Sequence, residues 1–244
     1  MLTLLLVFTV GFLSHLVSAL VGGGGLISLP TMLLIGIPIH SAIAADKFGA
    51  VISTLLTTLQ SLKRKEVTLR EVSTLIIVGL ASGFVGGLVA NLLSEELLNF
   101  VAIGLMGFAF IMSFFSKSFF GTYATIQHPK KVYPLLSGVG FYDGLFGPGS
   151  STLAIYAFSS DKLQYFKAVT YTRISLFAWC AGALVSYISA GALIWPIALA
   201  VTGGAVLGGF VGVYLSKRVN VKYIKHVLRV MTFIIIVQLL LKLL

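Results

Sequence analysis

The sequence predicts an all-α polytopic membrane protein. It is built as two inverted-topology repeats, each a broken or re-entrant helix pair followed by three transmembrane helices. Three observations carry that expectation. Apolar residues make up 58% of the 244-residue chain and charged residues only 10%, against about a quarter charged in soluble domains. So few charges cannot clothe a water-facing surface. Apolar runs long enough to cross a bilayer recur along the chain. The two halves then align when one is shifted by about 126 residues.

Six continuous apolar runs are expected as full spans, at 41–62, 71–92, 97–116, 167–189, 194–216 and 226–243. Two further apolar regions, 1–40 and 132–166, are broken by Gly22-Gly23-Gly24-Gly25 and by Gly147-Pro148-Gly149. Successive glycines are costly within a helix, and proline lacks the N–H that a helix interior needs. Each region therefore reads as two short helices either side of a break. The first 20 residues have the apolar character of a signal peptide, but no Lys or Arg precedes them and a second apolar piece follows the glycines. They are expected to stay in the mature chain. Residues 1–116 then form a first membrane repeat, 117–131 a cytoplasmic linker and 132–244 a second membrane repeat.

The net charge of +10 resolves into three clusters. Lys63, Arg64, Lys65 and Arg70 form one, Lys117, Lys130 and Lys131 another, and Lys217, Arg218, Lys222, Lys225 and Arg229 a third. Placing all three in the cytoplasm satisfies the positive-inside rule and leaves Glu95-Glu96 and the uncharged loop 190–193 outside. The basic excess is then a topology signal, and nothing resembles a nucleic-acid-binding module. A lone cysteine, Cys180, excludes a disulfide framework. No His, Cys, Asp or Glu set has metal-ligand spacing, so neither metal nor cofactor is expected.

Under the shift, Ala42-Ile43 meets Ala168-Val169, Lys47 meets Arg173, and Gly83-Phe84-Val85-Gly86 meets Gly209-Phe210-Val211-Gly212. The basic loop 63–70 falls on the uncharged loop 189–196, and the acidic loop 93–96 on the basic loop 219–222. Equivalent loops thus lie on opposite sides. Such inverted repeats are a common secondary-transporter architecture with substrate near the midplane.

The candidate site follows from what is costly in a membrane. Lys47 and Arg173 each lie about six residues inside a span, and intramembrane charges are functional candidates, although long basic chains can also snorkel outward. Backbone N–H groups at a helix start bind anions, which points to Gly23, Gly24 and Gly25 in the first break and Gly149, Ser150 and Ser151 in the second. Asp143, Asp46 and His15 are candidates for coupling or for charge compensation, with the proton as a coupling ion. Gly79, Gly83, Gly204, Gly208 and Gly212 recur at helical spacing and fit close packing. Two cations and two helix starts describe a site for a small anion. No ATP-binding motif is present, so an ion gradient is the expected energy source. The rival readings are a membrane scaffold without flux, and an intramembrane hydrolase using Ser150 and a histidine. Beyond the bilayer and the anion no partner is implied, and a homodimer stays open.

At Val21-Gly22-Gly23-Gly24-Gly25-Leu26-Ile27-Ser28-Leu29-Pro30 and at Gly140-Phe141-Tyr142-Asp143-Gly144-Leu145-Phe146-Gly147-Pro148-Gly149, the chain resembles the sulfite exporter TauE/SafE family of permeases. The resemblance implies a prokaryotic inner-membrane permease, often an exporter, for sulfite, organosulfonates and related anions. It also implies an acid four residues before each break. Asp143 fills that position in the second half, and Ser18 stands there in the first. Only one of the two acids implied by the family is therefore present, and if such acids couple protons the chain keeps one of the pair.

Overall fold

The structure, a computed structural model, describes residues 2–21, 25–114 and 121–215. The elements among the described residues are helices: α1 (Leu2–Val21), α2 (Gly25–Leu34), α3 (Ile39–Lys63), α4 (Leu69–Leu92), α5 (Glu95–Phe114), α6 (Pro129–Leu145), α7 (Ser150–Ser160), α8 (Tyr165–Ser189) and α9 (Trp195–Leu215). The chain is a multi-pass, all-helical membrane protein. Helices α3, α4, α8 and α9 are each long and apolar enough to cross a bilayer. Helix α5 covers the expected third span as far as Phe114. The expected span at 226–243 and the third basic cluster lie outside the described residues.

Local chemistry sets the helix ends. Thr68 caps α4, its hydroxyl accepting the Glu71 N–H at 3.4 Å. Glu71 in that first turn complements the helix dipole. Helix α6 opens on Pro129, where a missing N–H costs nothing. The second break falls where glycine and proline place it, since α6 ends at Leu145 and α7 resumes at Ser150, and residues 22–24 of the expected first break lie outside the described residues.

Helix bounds repeat along the chain. Ile39 and Tyr165 open α3 and α8, Lys63 and Ser189 close them, and both pairs are 126 positions apart. Leu69 and Trp195, which open α4 and α9, share that separation.

Close packing joins helices from different parts of the chain. A Cβ at Gly144 would collide with the Gly83 carbonyl, so α6 crosses α4 backbone to backbone. A Cβ at Gly204 or Gly208 would likewise collide with the carbonyls of Phe8 or Phe12, which lays α1 along α9 in parallel. Such approach substitutes dispersion contacts for the hydrophobic drive that lipid removes.

Polar contacts fix the remaining directions. His40 Nε2 lies 3.0 Å from the Ala90 carbonyl oxygen, and the Asn91 amide donates to the Ser186 carbonyl at 3.1 Å. The start of α3 and the ends of α4 and α8 therefore share one face. At the opposite face, Lys167 Nζ donates to the Glu66 carbonyl at 2.6 Å and lies 3.5 Å from the Glu71 carboxylate. The end of α3 meets the start of α8 there, so these two helices run in opposite directions.

The α6–α7 pair returns to its own side. Asp161, just after α7 and 2% exposed, accepts the backbone N–H groups of Gln127 at 2.6 Å and His128 at 3.1 Å. It also lies 2.6 Å from the His128 ring. Entry and exit of the pair are thus tied together, and the tip at 146–149 is carried into the bundle.

Candidate functional site

The tips of the two broken pairs meet. A Cβ at Gly25 would sit 3.4 Å from the Pro148 Cα, so the start of α2 lies against the turn that joins α6 to α7. That turn needs left-handed backbone at Gly147 (φ +112°) and Gly149 (φ +86°), a region L side chains rarely adopt. Gly147 has a second reason to be glycine, because a Cβ there would sit 2.5 Å from Lys47 Nζ.

Beside this junction lies a buried ion pair. Lys47, in the third turn of α3, places Nζ 2.8 Å from Asp143 Oδ2, and both side chains are 2% exposed. Asp143 sits near the end of α6 and takes two further donors. The hydroxyl of Ser150, first residue of α7, donates to Oδ1 at 2.6 Å, and the Cys180 thiol on α8 donates to Oδ2 at 3.4 Å. Four helices therefore converge on one carboxylate. Removing two charges from water is costly, and it is offset only when geometry is good and remaining lone pairs are filled. Here both conditions are met.

The broken end of α6 also finds partners. Its last carbonyls have no intrahelical acceptor role left to fill. The Tyr187 hydroxyl lies 3.3 Å from both the Gly144 and the Leu145 carbonyl oxygens, and the Tyr142 hydroxyl donates to the Pro148 carbonyl. The tip is thus held as a formed structure.

A second polar cluster stands on the side of the first break. The Ser28 hydroxyl on α2 donates to Asp46 Oδ1 at 2.5 Å. Asp46 is only partly buried, and its field reaches His15 on α1, Lys47 and Cys180.

The expected site residues are distributed as follows. Lys47, Asp143, Gly149 and Ser150 come together, with Gly25 against the same turn. Ser151 is half-buried in the first turn of α7. Gly23 and Gly24 lie outside the described residues. Arg173 is elsewhere: it is partly buried on α8, within the fields of Glu66 and Tyr165, and forms no ion pair among the described residues. Lys47 differs from the expected open cation in that its charge is already matched by Asp143. Ser150 differs too, since its hydroxyl is engaged by that same carboxylate.

Sequence reasoning did not mark Ser28, Cys180, Tyr142 or Tyr187. Cys180 carries a weak signal, lying seven residues after Arg173 and so on the same face of α8. Ser28 carries none, because a serine one turn past a glycine run is unremarkable in a membrane helix. Among the described residues no three His, Cys, Asp or Glu side chains group as metal ligands. A separate cavity of about 170 Å³ opens at the other end of α8, lined by Glu71, Thr125, Ile126, Pro129, Tyr133 and Tyr171. Its Glu71 is already engaged by Tyr171 at 3.2 Å.

Known proteins match this architecture over nearly its whole length. The family described as Sulfite exporter TauE/SafE matches residues 7–239. The chain belongs to that family. Its relatives include a "Probable membrane transporter protein ORF9" of Sinorhizobium sp, 27% identical, the match covering 96% of this chain and 90% of the relative. A "Probable membrane transporter protein" of Haemophilus influenzae is 26% identical, covering 94% of this chain and 91% of the relative. A "Probable membrane transporter protein YfcA" of Escherichia coli K12 is 24% identical, covering 96% and 88%. No solved structure matches the chain. Family membership and the apolar helices together make this TauE/SafE protein a membrane transporter.

Proposed function

We propose that the protein moves a small sulfur-containing anion, sulfite or an organosulfonate, out across the inner membrane of a prokaryotic cell by alternating access. The observation that carries this reading is the buried Lys47–Asp143 pair beside two helix breaks that touch. A site lined by a desolvated ammonium and by irregular backbone is suited to an oxyanion, because each donor gains strength where water is excluded. Asp143 holds the Lys47 charge while the site is empty. An arriving anion shares that charge and draws on the N–H groups around Gly149 to Ser151. Arg173 is the counterpart cation of the second half.

The opposite directions of α3 and α8, whose bounds coincide under the repeat shift, support inverted repeats at 1–116 and 132–244 around a linker at 117–131. In such a fold, rocking of one repeat against the other exposes a fixed central site to each side in turn. The hydrolase alternative pairs Ser150 with a histidine, and the Ser150 hydroxyl donates to Asp143 instead.

Purified protein in proteoliposomes tests the reading, with flux of sulfite, sulfate, thiosulfate, taurine and sulfoacetate compared in both directions. Saturable flux of sulfite or an organosulfonate, lost in Lys47→Ala, is the expected result. Absence of saturable flux for all five anions overturns the substrate class.

A further inference from the structure

Two carboxylates lie at the centre of this molecule, and their surroundings differ in kind. Asp143 is fully enclosed, and its two oxygens face an ammonium, a hydroxyl and a thiol. Adding a proton to it would leave the Lys47 ammonium buried without a counter-charge, a state that buried pairs resist strongly. Asp46 receives one neutral donor, the Ser28 hydroxyl at 2.5 Å, and is only partly buried. A proton can reach it and can be accepted without orphaning a cation.

His15 supplies a route. Its Nδ1 lies 3.2 Å from both the Gly11 carbonyl oxygen and the Ser14 hydroxyl, and that hydroxyl can serve either ring tautomer. The ring can therefore gain and lose a proton. The ring lies in the field of Asp46. It stands on α1, on the other side of the first break from Ser28. The titratable groups within the field of Asp46 come from three helices: His15 on α1, Lys47 on α3 and Cys180 on α8.

We propose that Asp46, held by Ser28 and faced by His15, is the proton-binding site of the carrier, while the Lys47–Asp143 pair stays ionised through the cycle. The proposal rests on the transport reading above and gives it a coupling ion. The proton passes through the His15 ring and forms an O–H bond at the Asp46 carboxyl, and Ser28 turns from donor toward acceptor. Neutralising Asp46 removes one negative charge from beside Lys47, which favours entry of an anion there. Proton and anion binding are thereby linked, and by reciprocity each strengthens the other, so the two cross in the same direction and an outward anion gradient carries the proton out with the anion.

Two measurements on the intact, purified protein decide the matter. In proteoliposomes, Asp46→Asn is expected to lose accumulation of labelled sulfite driven by a pH gradient, while sulfite–sulfite exchange, which needs no net proton movement, survives in part. His15→Gln slows the gradient-driven phase alone. Equal loss of both phases in Asp46→Asn, or full retention of both, overturns the assignment. An unchanged His15→Gln removes the histidine from the route. Infrared pH-difference spectroscopy reads the proton without any substrate. A carboxyl band present in the wild type is expected to vanish in Asp46→Asn and to persist in Asp143→Asn. Loss of the band in Asp143→Asn, or its survival in Asp46→Asn, overturns the site. If the wild type moves no sulfite in either assay, the substrate reading fails and the infrared titration still decides where the proton binds.

Discussion

Lys47 and Asp143 are each the reason the other can be buried. A lone ammonium or carboxylate in this interior would have no counter-charge within hydrogen-bond reach. Removing one partner of a buried pair typically costs about 3–5 kcal/mol, whereas replacing both with apolar groups of similar volume is often neutral. Lys47→Ala and Asp143→Asn are therefore expected to lower unfolding free energy in detergent by about that amount, and Lys47→Met/Asp143→Leu by much less. Equal losses in the single and double variants would mean that the pair is not what stabilises the junction. Gly147 offers a second test at the same scale. Its φ of +112° and its 2.5 Å approach to Lys47 Nζ make Gly147→Ala both strained and obstructive. A loss of about 1–3 kcal/mol is expected from the backbone alone, and a variant as stable as the wild type would show that the turn can refold around a methyl group. Lys47 and Asp143 were visible in the sequence because charge is rare there. Their pairing was not, since Asp143 lies 96 positions away and no spacing rule joins the two. Arg173 was visible for the same reason, yet a long flexible side chain does not disclose in sequence which way its head will turn.

At the scale of the elements, the breaks were the most legible feature. Glycine and proline ended α6 where their backbone chemistry requires, and the Thr68–Glu71 cap and Pro129 fixed two starts. The return of α6–α7 to its own side was less legible, because it depends on Asp161, a residue with no role in any apolar pattern. Its carboxylate accepts two backbone N–H groups and meets the His128 ring. Asp161→Ala leaves those donors without a protein acceptor at a cost of about 1–3 kcal/mol for each one kept from water. The expected result is faster hydrogen exchange at Gln127, His128 and the first turn of α6, with α3 and α4 unchanged. Uniform acceleration across all helices would show that Asp161 supports global stability and does not act as a local tie.

For the whole molecule, composition disclosed the membrane and the repeat shift disclosed the helix bounds, since α3 and α8 coincide end for end. Which helices touch was hidden, because glycines at helical spacing occur on both α4 and α9 and do not name their partners. The structure resolves this by laying α1 along α9 and α6 across α4, so each broken pair packs on a spanning helix of the opposite half. That exchange is what brings the two tips together. The final prediction addresses the inversion directly. Residues 63–71 and the start of α8 share one face, while 90–91 and the end of α8 share the other. Loop charge assigns the first face to the cytoplasm. Cys180→Ser gives a thiol-free background that keeps a donor toward Asp143. Glu66→Cys and Ala192→Cys in that background leave intact the backbone groups at 66 and 192, which bond to Lys167 and Tyr187. In intact cells an impermeant maleimide is expected to label position 192 and to spare position 66, and in inside-out vesicles the preference should reverse. Labelling of both positions from one face would put equivalent loops on the same side. The repeats would then be parallel, and the two breaks would approach the centre from one side of the membrane instead of from opposite sides.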